Sequence, residues 1–291
     1  MNMNKHTVHN HSDSKKPFVA ESGILYVATG ERYLMEACRS ARRCKQLMPE
    51  IPLALASDLP APRELFACQI QIESPKGNFS DKMAPLLKSP FRRTVFLDTD
   101  TWLCEPVTEL FSILERCDIA MAHAPMRFTA ASDAPASFPE CNSGVIAYDL
   151  NDRTRSLFAH WEKLYQERLT STGVVDDQPS LRDALWLSDA SFATLPPEYN
   201  FRFIMPAFAG RGSVKILHGR HPDYEALSAS LNKSGSPRVF LPRLREASPK
   251  HFGILSKPGR CLGYWIGWDA WIAGVIGKVI DGMKWRLFRM K

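Results

Sequence analysis

Short apolar runs alternate with one-sided amphipathic stretches through most of the chain. Residues 23–29 (Gly-Ile-Leu-Tyr-Val-Ala-Thr) are an apolar run closed by Gly30, which predicts a buried strand and a turn. Residues 31–48 carry Leu34, Ala37, Cys38, Ala41 and Leu47 on one face, with Pro49 directly after, the pattern of a helix and its stop. Residues 51–57 and 66–72 predict a second and a third strand. Strand, helix, strand in this order favours a parallel sheet with right-handed crossovers.

The alternation continues. Residues 81–88 predict a helix before Pro90, and residues 93–97 predict the strongest strand in the chain, running directly into Asp98-Thr99-Asp100. Residues 108–116 read as a short helix, 118–123 as a strand, and the Ala-, Ser- and Pro-rich 128–140 as a loop. Residues 142–149 predict a strand opening Asn-Ser-Gly, and 153–169 an amphipathic helix. Residues 177–187 predict another helix with Pro179 tolerated in its first turn. A last strand is expected at 214–217, ending in His218-Gly219. Residues 220–258 are polar with several prolines and predict no clear element. The expected organisation is a disordered tail over 1–20, one α/β domain over 21–258, and a distinct tail over 259–291.

Composition narrows the classes. With 291 residues, 45% of them hydrophobic, the chain can bury a full core. A net charge of +6 spread along the chain suits anionic partners. It forms no nucleic-acid-binding stripe, and no zinc-finger or RNA-recognition signature is present, so no nucleic-acid partner is expected. The seven cysteines (38, 44, 68, 104, 117, 141 and 261) include no C-x-x-C pair. The opening residues are polar, with His6, His9 and His11 and no apolar signal core. An odd number of cysteines without a secretory signal predicts reduced thiols and a cytoplasmic protein.

The tail packs Trp265, Trp268, Trp271 and Trp285 among Ile, Val and Gly, with Lys278, Lys284, Arg286, Arg289 and Lys291 late in it. Asp269 and Lys278 interrupt the apolar run, so it falls short of the about twenty residues a bilayer span needs. Tryptophans beside cations suit an amphipathic helix on an anionic leaflet, and predict a peripheral place on the inner membrane face. The alternative is a helix docked on the protein's own core.

Asp98 and Asp100 are the candidate chemistry. At i and i+2 of an extended chain two carboxylates share one face, and they repel unless a cation lies between them. At the carboxyl end of a parallel strand that cation would lie in the ligand crevice of an open α/β sheet. Oxygen ligands suit magnesium or manganese, which bridge carboxylates to phosphates.

Thr94-Val95-Phe96-Leu97-Asp98-Thr99-Asp100-Thr101 resembles the F-L-D-x-D-T signature of the glycogenin-like family 8 glycosyltransferases, whose fold is the nucleotide-diphospho-sugar transferase (GT-A) type. Further matches follow in order over about residues 23–222. Val27, Thr29 and Tyr33 stand where that family meets the nucleoside, and Lys82 where its lysine meets phosphate or sugar. Asn142-Ser143-Gly144-Val145 matches N-S-G-V, whose asparagine faces the donor sugar. Asp177-Gln178 matches the D-Q pair, Leu195-Pro196 through Tyr199-Asn200 the L-P-x-x-Y-N segment, and His218 the third metal ligand.

The resemblance implies a GT-A α/β fold with a mostly parallel sheet, and a manganese- or magnesium-dependent enzyme. It implies transfer of a sugar from a nucleotide-diphosphate donor, uridine diphosphate being the family's default, to a hydroxyl acceptor with retention. Lys82, Asp177 and Gln178 would be catalytic. Asp98, Asp100 and His218 would hold the metal. Val27, Thr29, Tyr33, Lys82, Asp98, Thr99, Asp100, Asn142, Asp177, Gln178, His218 and Arg220 would line the donor site. The tail adds a glycolipid or surface-polysaccharide precursor as acceptor.

Three positions depart from the pattern. The family's G-x-K-P-W is replaced by Gly219-Arg220-His221-Pro222-Asp223, so that either Arg220 takes the lysine's place at the diphosphate or the donor contact differs. Val174 stands where the family has a further aspartate, for which Asp176 is a substitute. The residues between Thr29 and Tyr33 also differ.

Singly, each residue has an ordinary alternative. Lys82 can be a surface helix lysine, Asn142 a turn cap, Asp177 a residue favouring the next helix N-terminus, and His218 a core histidine. Tyr199-Asn200 reads as architectural. A haloacid-dehalogenase-type phosphatase would need D-x-D-x-T, but Trp102 occupies the fifth position. A sugar-nucleotide-binding protein without transferase activity is the other alternative. Gly210-Arg211-Gly212 is no dinucleotide fingerprint, and 29–32 is too thin for a nucleotidyltransferase loop.

Overall fold

The computed structural model describes residues 18–124, 134–242 and 252–255. The tail at 259–291, residues 1–17 and part of the 128–140 loop lie outside the described residues.

The elements follow in order: β1 (Ala20–Ala28), α1 (Glu31–Leu47), β2 (Leu53–Ser57), β3 (Cys68–Gln71), α2 (Ser80–Leu87), β4 (Phe91–Leu97) and β5 (Thr101–Leu103). Then come α3 (Glu109–Ile113), β6 (Ile119–His123), β7 (Cys141–Asp149), α4 (Asp152–Thr172), α5 (Gln178–Trp186) and β8 (Phe192–Leu195). A single 3₁₀ turn (Pro197–Asn200) leads into β9 (Phe201–Arg202), β10 (Ala207–Ala209), β11 (Ile216–His218), α6 (Tyr224–Leu231), β12 (Arg238–Pro242) and β13 (Phe252–Leu255).

Seven strands form the central sheet in the order β3-β2-β1-β4-β7-β6-β8. All are parallel except β7, which pairs antiparallel with both β4 and β6. The parallel sheet expected from the alternation is therefore mixed at one strand. β7 is buried along its whole length, polar Asn142 and Ser143 included, so its side-chain pattern carries no sign of its direction. Strand order reverses between β1 and β4, which makes the carboxyl ends of these two strands the switch point where such sheets bind ligands.

Pleating sorts the core to both faces. Ile24, Tyr26 and Ala28 face one side with Ala37, Cys38, Ala41 and Cys44 of α1 and Leu110 and Phe111 of α3. Leu25 and Phe96 face the other, with Met83 and Leu86 of α2, Leu157, Phe158, Trp161 and Tyr165 of α4, and Leu181 and Ala184 of α5. Each fully buried apolar side chain of this kind contributes about 1.5–3 kcal/mol.

Local signals explain the helices of the second face. Asn151 caps α4, accepting from the backbone N–H of Arg153 and Thr154 in a reciprocal box, and Gly173 ends it at φ 70°. Pro179 sits in the first turn of α5 as expected. Two small sheets, β5-β11-β9 and β10-β12-β13, stand beside the main one. They correct the expectation that strands end at 214–217, and α6 and β12 lie in the stretch that predicted nothing. No helix of the described residues is long and apolar enough to cross a membrane.

Candidate active site

β4 delivers Asp98 to the switch point. Residues 98–100 are not extended, as the i and i+2 argument assumed. They turn, with the N–H and hydroxyl of Thr101 both bonded to the Asp98 carbonyl at 3.1 and 2.7 Å. The turn still brings both carboxylates together. It also starts β5, which pairs antiparallel with β11 so that Thr101 lies opposite His218. The N–H of Gly219 bonds the Asp100 carbonyl at 3.0 Å.

This two-strand crossing places His218 Nε2 3.5 Å from Asp100 Oδ1 and 3.7 Å from Asp98 Oδ2. One ligand atom from each of the three residues lies within 4.8 Å of the others. Bonds of about 2.1 Å to one cation separate ligand atoms by about 3–4 Å, so the spacing fits a single ion with small closure. Two carboxylates and an imidazole are a donor set for a divalent metal, its identity left open. Burial pushes the Asp98 carboxyl up, against the pull of Lys82 and His218. Burial also acts on Asp100, but the hydrogen bond and charge of His218, with Arg220, bring it down to about 2.

A second cluster adjoins the first. Lys82 of α2 is buried and pairs with Asp177 Oδ2 at 2.7 Å. It also donates to Ser143 Oγ at 2.8 Å, whose hydroxyl donates to Asp177 at 2.9 Å. Lys82 is thus no surface lysine. Burial alone would lower its pKa, but Asp177 and Asp98 together raise it above the ordinary value. Asp177 precedes α5 yet makes no side-chain cap there, and its carbonyl is held by Trp161 Nε1 at 3.1 Å. Capping does not account for this carboxylate. Asp176 accepts from the Gln178 N–H at 3.2 Å.

A chain of carboxamides joins the clusters. Asn142 Nδ2 donates to Gln178 Oε1 at 2.6 Å, and Asn200 Nδ2 donates to Asn142 Oδ1 at 2.8 Å. Asn200 Oδ1 meets His218 Nδ1 at 2.7 Å. All four side chains are buried.

On the nucleoside side, Thr29 donates weakly to Asp81 Oδ2 at 3.4 Å, and Val27 packs partly buried under the sheet. Tyr33 is exposed, with the Arg220 guanidinium 5.9 Å from its ring centre. Arg220 is clasped by Glu36 through bonds of 2.7 and 2.9 Å and approaches Asp100 at 3.5 Å. Glu36 also accepts from Thr99 at 3.1 Å.

Glu36, Ser143, Gly144 and Asn200 join the site without having been singled out for a role there. Glu36 could have been found, since it lies three residues after Tyr33 and so on the same helix face.

No family model matches the chain, and no curated protein matches it in sequence. Solved structures do match. The glycosyltransferase GlyE of Streptococcus pneumoniae TIGR4 superposes with a TM-score of 0.50 at 14% identity, over 69% of this chain and 56% of GlyE. The fold is that of the GT-A glycosyltransferases. The galactosyltransferase LgtC, solved with donor and acceptor sugar analogues, matches at TM-score 0.48 and 14% identity over 72% of this chain and 96% of LgtC. WbbM, a bifunctional glycosyltransferase, matches at TM-score 0.47 and 11% identity over 71% and 47%. At 14% identity the likeness to GlyE speaks to the fold alone.

Proposed function

We propose that the chain is a metal-dependent glycosyltransferase. It moves a sugar from a nucleotide-diphosphate donor, with uridine as the base, to a hydroxyl acceptor. The observation that carries the reading is the meeting of Asp98, Asp100 and His218 at the switch point of a GT-A fold, against the buried Lys82–Asp177 pair.

Asp98, Asp100 and His218 would hold manganese or magnesium. Such an ion, when bound, supplies Lewis-acid stabilisation to the departing diphosphate. Lys82 adds a fixed, desolvated positive charge whose position costs no reorganisation as negative charge develops on the leaving group. Asp177, held by Lys82 and Ser143, would face the positive charge that grows on the sugar's reacting carbon. The Gln178 oxygen is taken by Asn142, so Gln178 would serve as an amide N–H donor to oxygens of the sugar or the leaving phosphate rather than as a nucleophile. Retention follows the family 8 resemblance, with the acceptor proton passing to the leaving phosphate on the same face. Val27, Thr29 and Tyr33 would receive the nucleoside, Thr99 and Asn142 would border ribose and sugar, and Arg220 would turn from Glu36 to the diphosphate.

The basic, tryptophan-rich tail at 259–291 supports an acceptor at a membrane surface, a glycolipid or polysaccharide precursor, with the protein on the cytoplasmic face. Loss of liposome binding on removing that tail would support this part, and indifference to anionic liposomes would remove it.

The test of the main reading is donor turnover across a panel of nucleotide sugars. We expect slow hydrolysis or transfer with manganese, stopped by chelator and restored by added metal. Tight donor binding with neither transfer nor hydrolysis would favour a binding protein instead, and phosphate-monoester hydrolysis without a nucleotide would favour a phosphatase.

A further inference from the structure

The proton on His218 can be placed by following the carboxamide chain from a group whose role is not in doubt. A backbone N–H only donates. The N–H of Gly144 meets the side chain of Asn142 at 3.1 Å, so the atom it meets is the oxygen Oδ1. That settles which way the Asn142 amide faces, a choice otherwise ambiguous for asparagine. Its nitrogen then points to Gln178, which must answer with Oε1 at 2.6 Å. Its oxygen also receives Asn200, which must approach with Nδ2 at 2.8 Å. Asn200 is left with only its oxygen to offer His218 Nδ1 at 2.7 Å. An oxygen accepts, so Nδ1 carries the proton.

We propose that Asn200 is a positioning residue that fixes a proton on His218 Nδ1, so that Nε2 is the nitrogen the ring presents to Asp98 and Asp100. A metal-binding imidazole needs one nitrogen without a proton, and the partner on the other nitrogen decides which one that is. The partner here is the last residue of the 3₁₀ turn, immediately before β9, which runs beside β11 with Arg202 opposite His218. The contact is buried, Asn200 and His218 being each 5% exposed. The same chain orients Gln178, so one backbone N–H sets the polar faces of the metal side and the sugar side together. Gly144 sits in β7 with its carbonyl bonded to the Asp98 N–H at 2.8 Å, which ties this origin to the carboxylate it serves.

The inference rests on the metal role proposed above for His218, but its test needs neither nucleotide nor transfer. Histidine side chains are labelled with nitrogen-15 in the metal-free protein, at a pH well above the ordinary histidine value. The His218 signals are identified by their loss in His218→Gln. We expect the wild type to carry a proton on Nδ1. Asn200→Ala should release this preference, populating the Nε2–H form, and weaken binding of manganese alone by about 10–100-fold. Asn200→Asp still accepts from Nδ1–H but loses the donor to Asn142 Oδ1, so it should keep the tautomer and restore only part of the manganese affinity. A wild-type His218 without a proton on Nδ1 overturns the proposal, whether or not any variant folds. An Asn200→Ala protein with unchanged tautomer and unchanged manganese affinity overturns it too. Failure of the transferase reading would instead appear as intact tautomer control in a protein that turns over no donor.

Discussion

Gly144 and His218 touch across the site. A methyl group on Gly144 would overlap the imidazole and lie 2.8 Å from Asp98 Oδ2. The glycine of the Asn-Ser-Gly strand is thus a spacing element for the cluster, with no positive φ to explain it. Gly144→Ala must push the histidine or the aspartate aside, at a cost of about 1–3 kcal/mol for overpacking. The protein should fold, bind manganese at least about tenfold more weakly, and lose donor turnover in proportion. Calorimetric titration with manganese, beside a denaturant unfolding curve, checks both.

The Lys82–Asp177 pair is the energetic risk of the site. Lys82→Met leaves Asp177 buried without its partner and should cost about 3–5 kcal/mol in unfolding free energy. Lys82→Met with Asp177→Leu should recover much of that, because neither charge of the pair is then left buried alone, while transfer stays lost. The pH sign follows from the raised lysine pKa. The pair's stabilisation is fully present below the ordinary lysine value of 10.5 and fades only as pH climbs through the higher folded value. Unfolding curves of wild type and single variant should therefore stay separated at every neutral and mildly alkaline pH. A gap that closes near neutrality would contradict the pairing.

Asp118 tests the frame rather than the chemistry. Its Oδ2 accepts from the N–H and hydroxyl of Ser191 at 2.7 and 2.6 Å, and its Oδ1 from Asn151 at 2.6 Å and Arg153 at 3.0 Å. Burial opposes the charged form, but the Ser191 bonds, Asn151 and Arg153 together bring the carboxyl below the usual range. Its contribution is present above the ordinary value of 3.8 and is lost as pH falls through the lower folded value. Asp118→Asn should cost about 1–3 kcal/mol at neutral pH, with the two proteins converging in acid.

Arg220 separates a diphosphate contact from a mere latch on Glu36. As a contact, Arg220→Ala should weaken donor binding by about 10–100-fold, the worth of a charge-assisted hydrogen bond. Glu36→Gln should leave donor binding equal or tighter, because it frees the guanidinium. Donor affinity unmoved by Arg220→Ala would leave the diphosphate to Lys82 and the metal cluster alone.

What could be read from the sequence followed the range of each signal. The run at 93–97 is local and continuous, and it placed Asp98 at the end of β4 without ambiguity. The face of α1 was likewise visible from its spacing, with Ala37, Cys38 and Ala41 buried as expected. The direction of β7 was not visible, because a strand buried on both faces reads alike either way round. The meeting of His218 with Asp100 was anticipated only by family resemblance. The physical link is a ladder between two three-residue strands, too short to leave a periodic trace. α6 was hidden among prolines, although Asp223 caps it and Tyr224 stacks on Trp102 with ring centres 5.2 Å apart. Asn200 read as architectural because its partners, Asn142 and His218, come from remote strands.

The most direct test is nucleotide-diphosphate binding by calorimetry, with and without manganese, in wild type, Asp98→Asn and Asp100→Asn. Uridine diphosphate should bind the wild type strongly only with the metal present, and both variants should lose that metal-dependent part while keeping the fold. Equal affinity with and without manganese, or variants that bind as the wild type does, would contradict the claim that these two carboxylates grip the cation on which the leaving group rests.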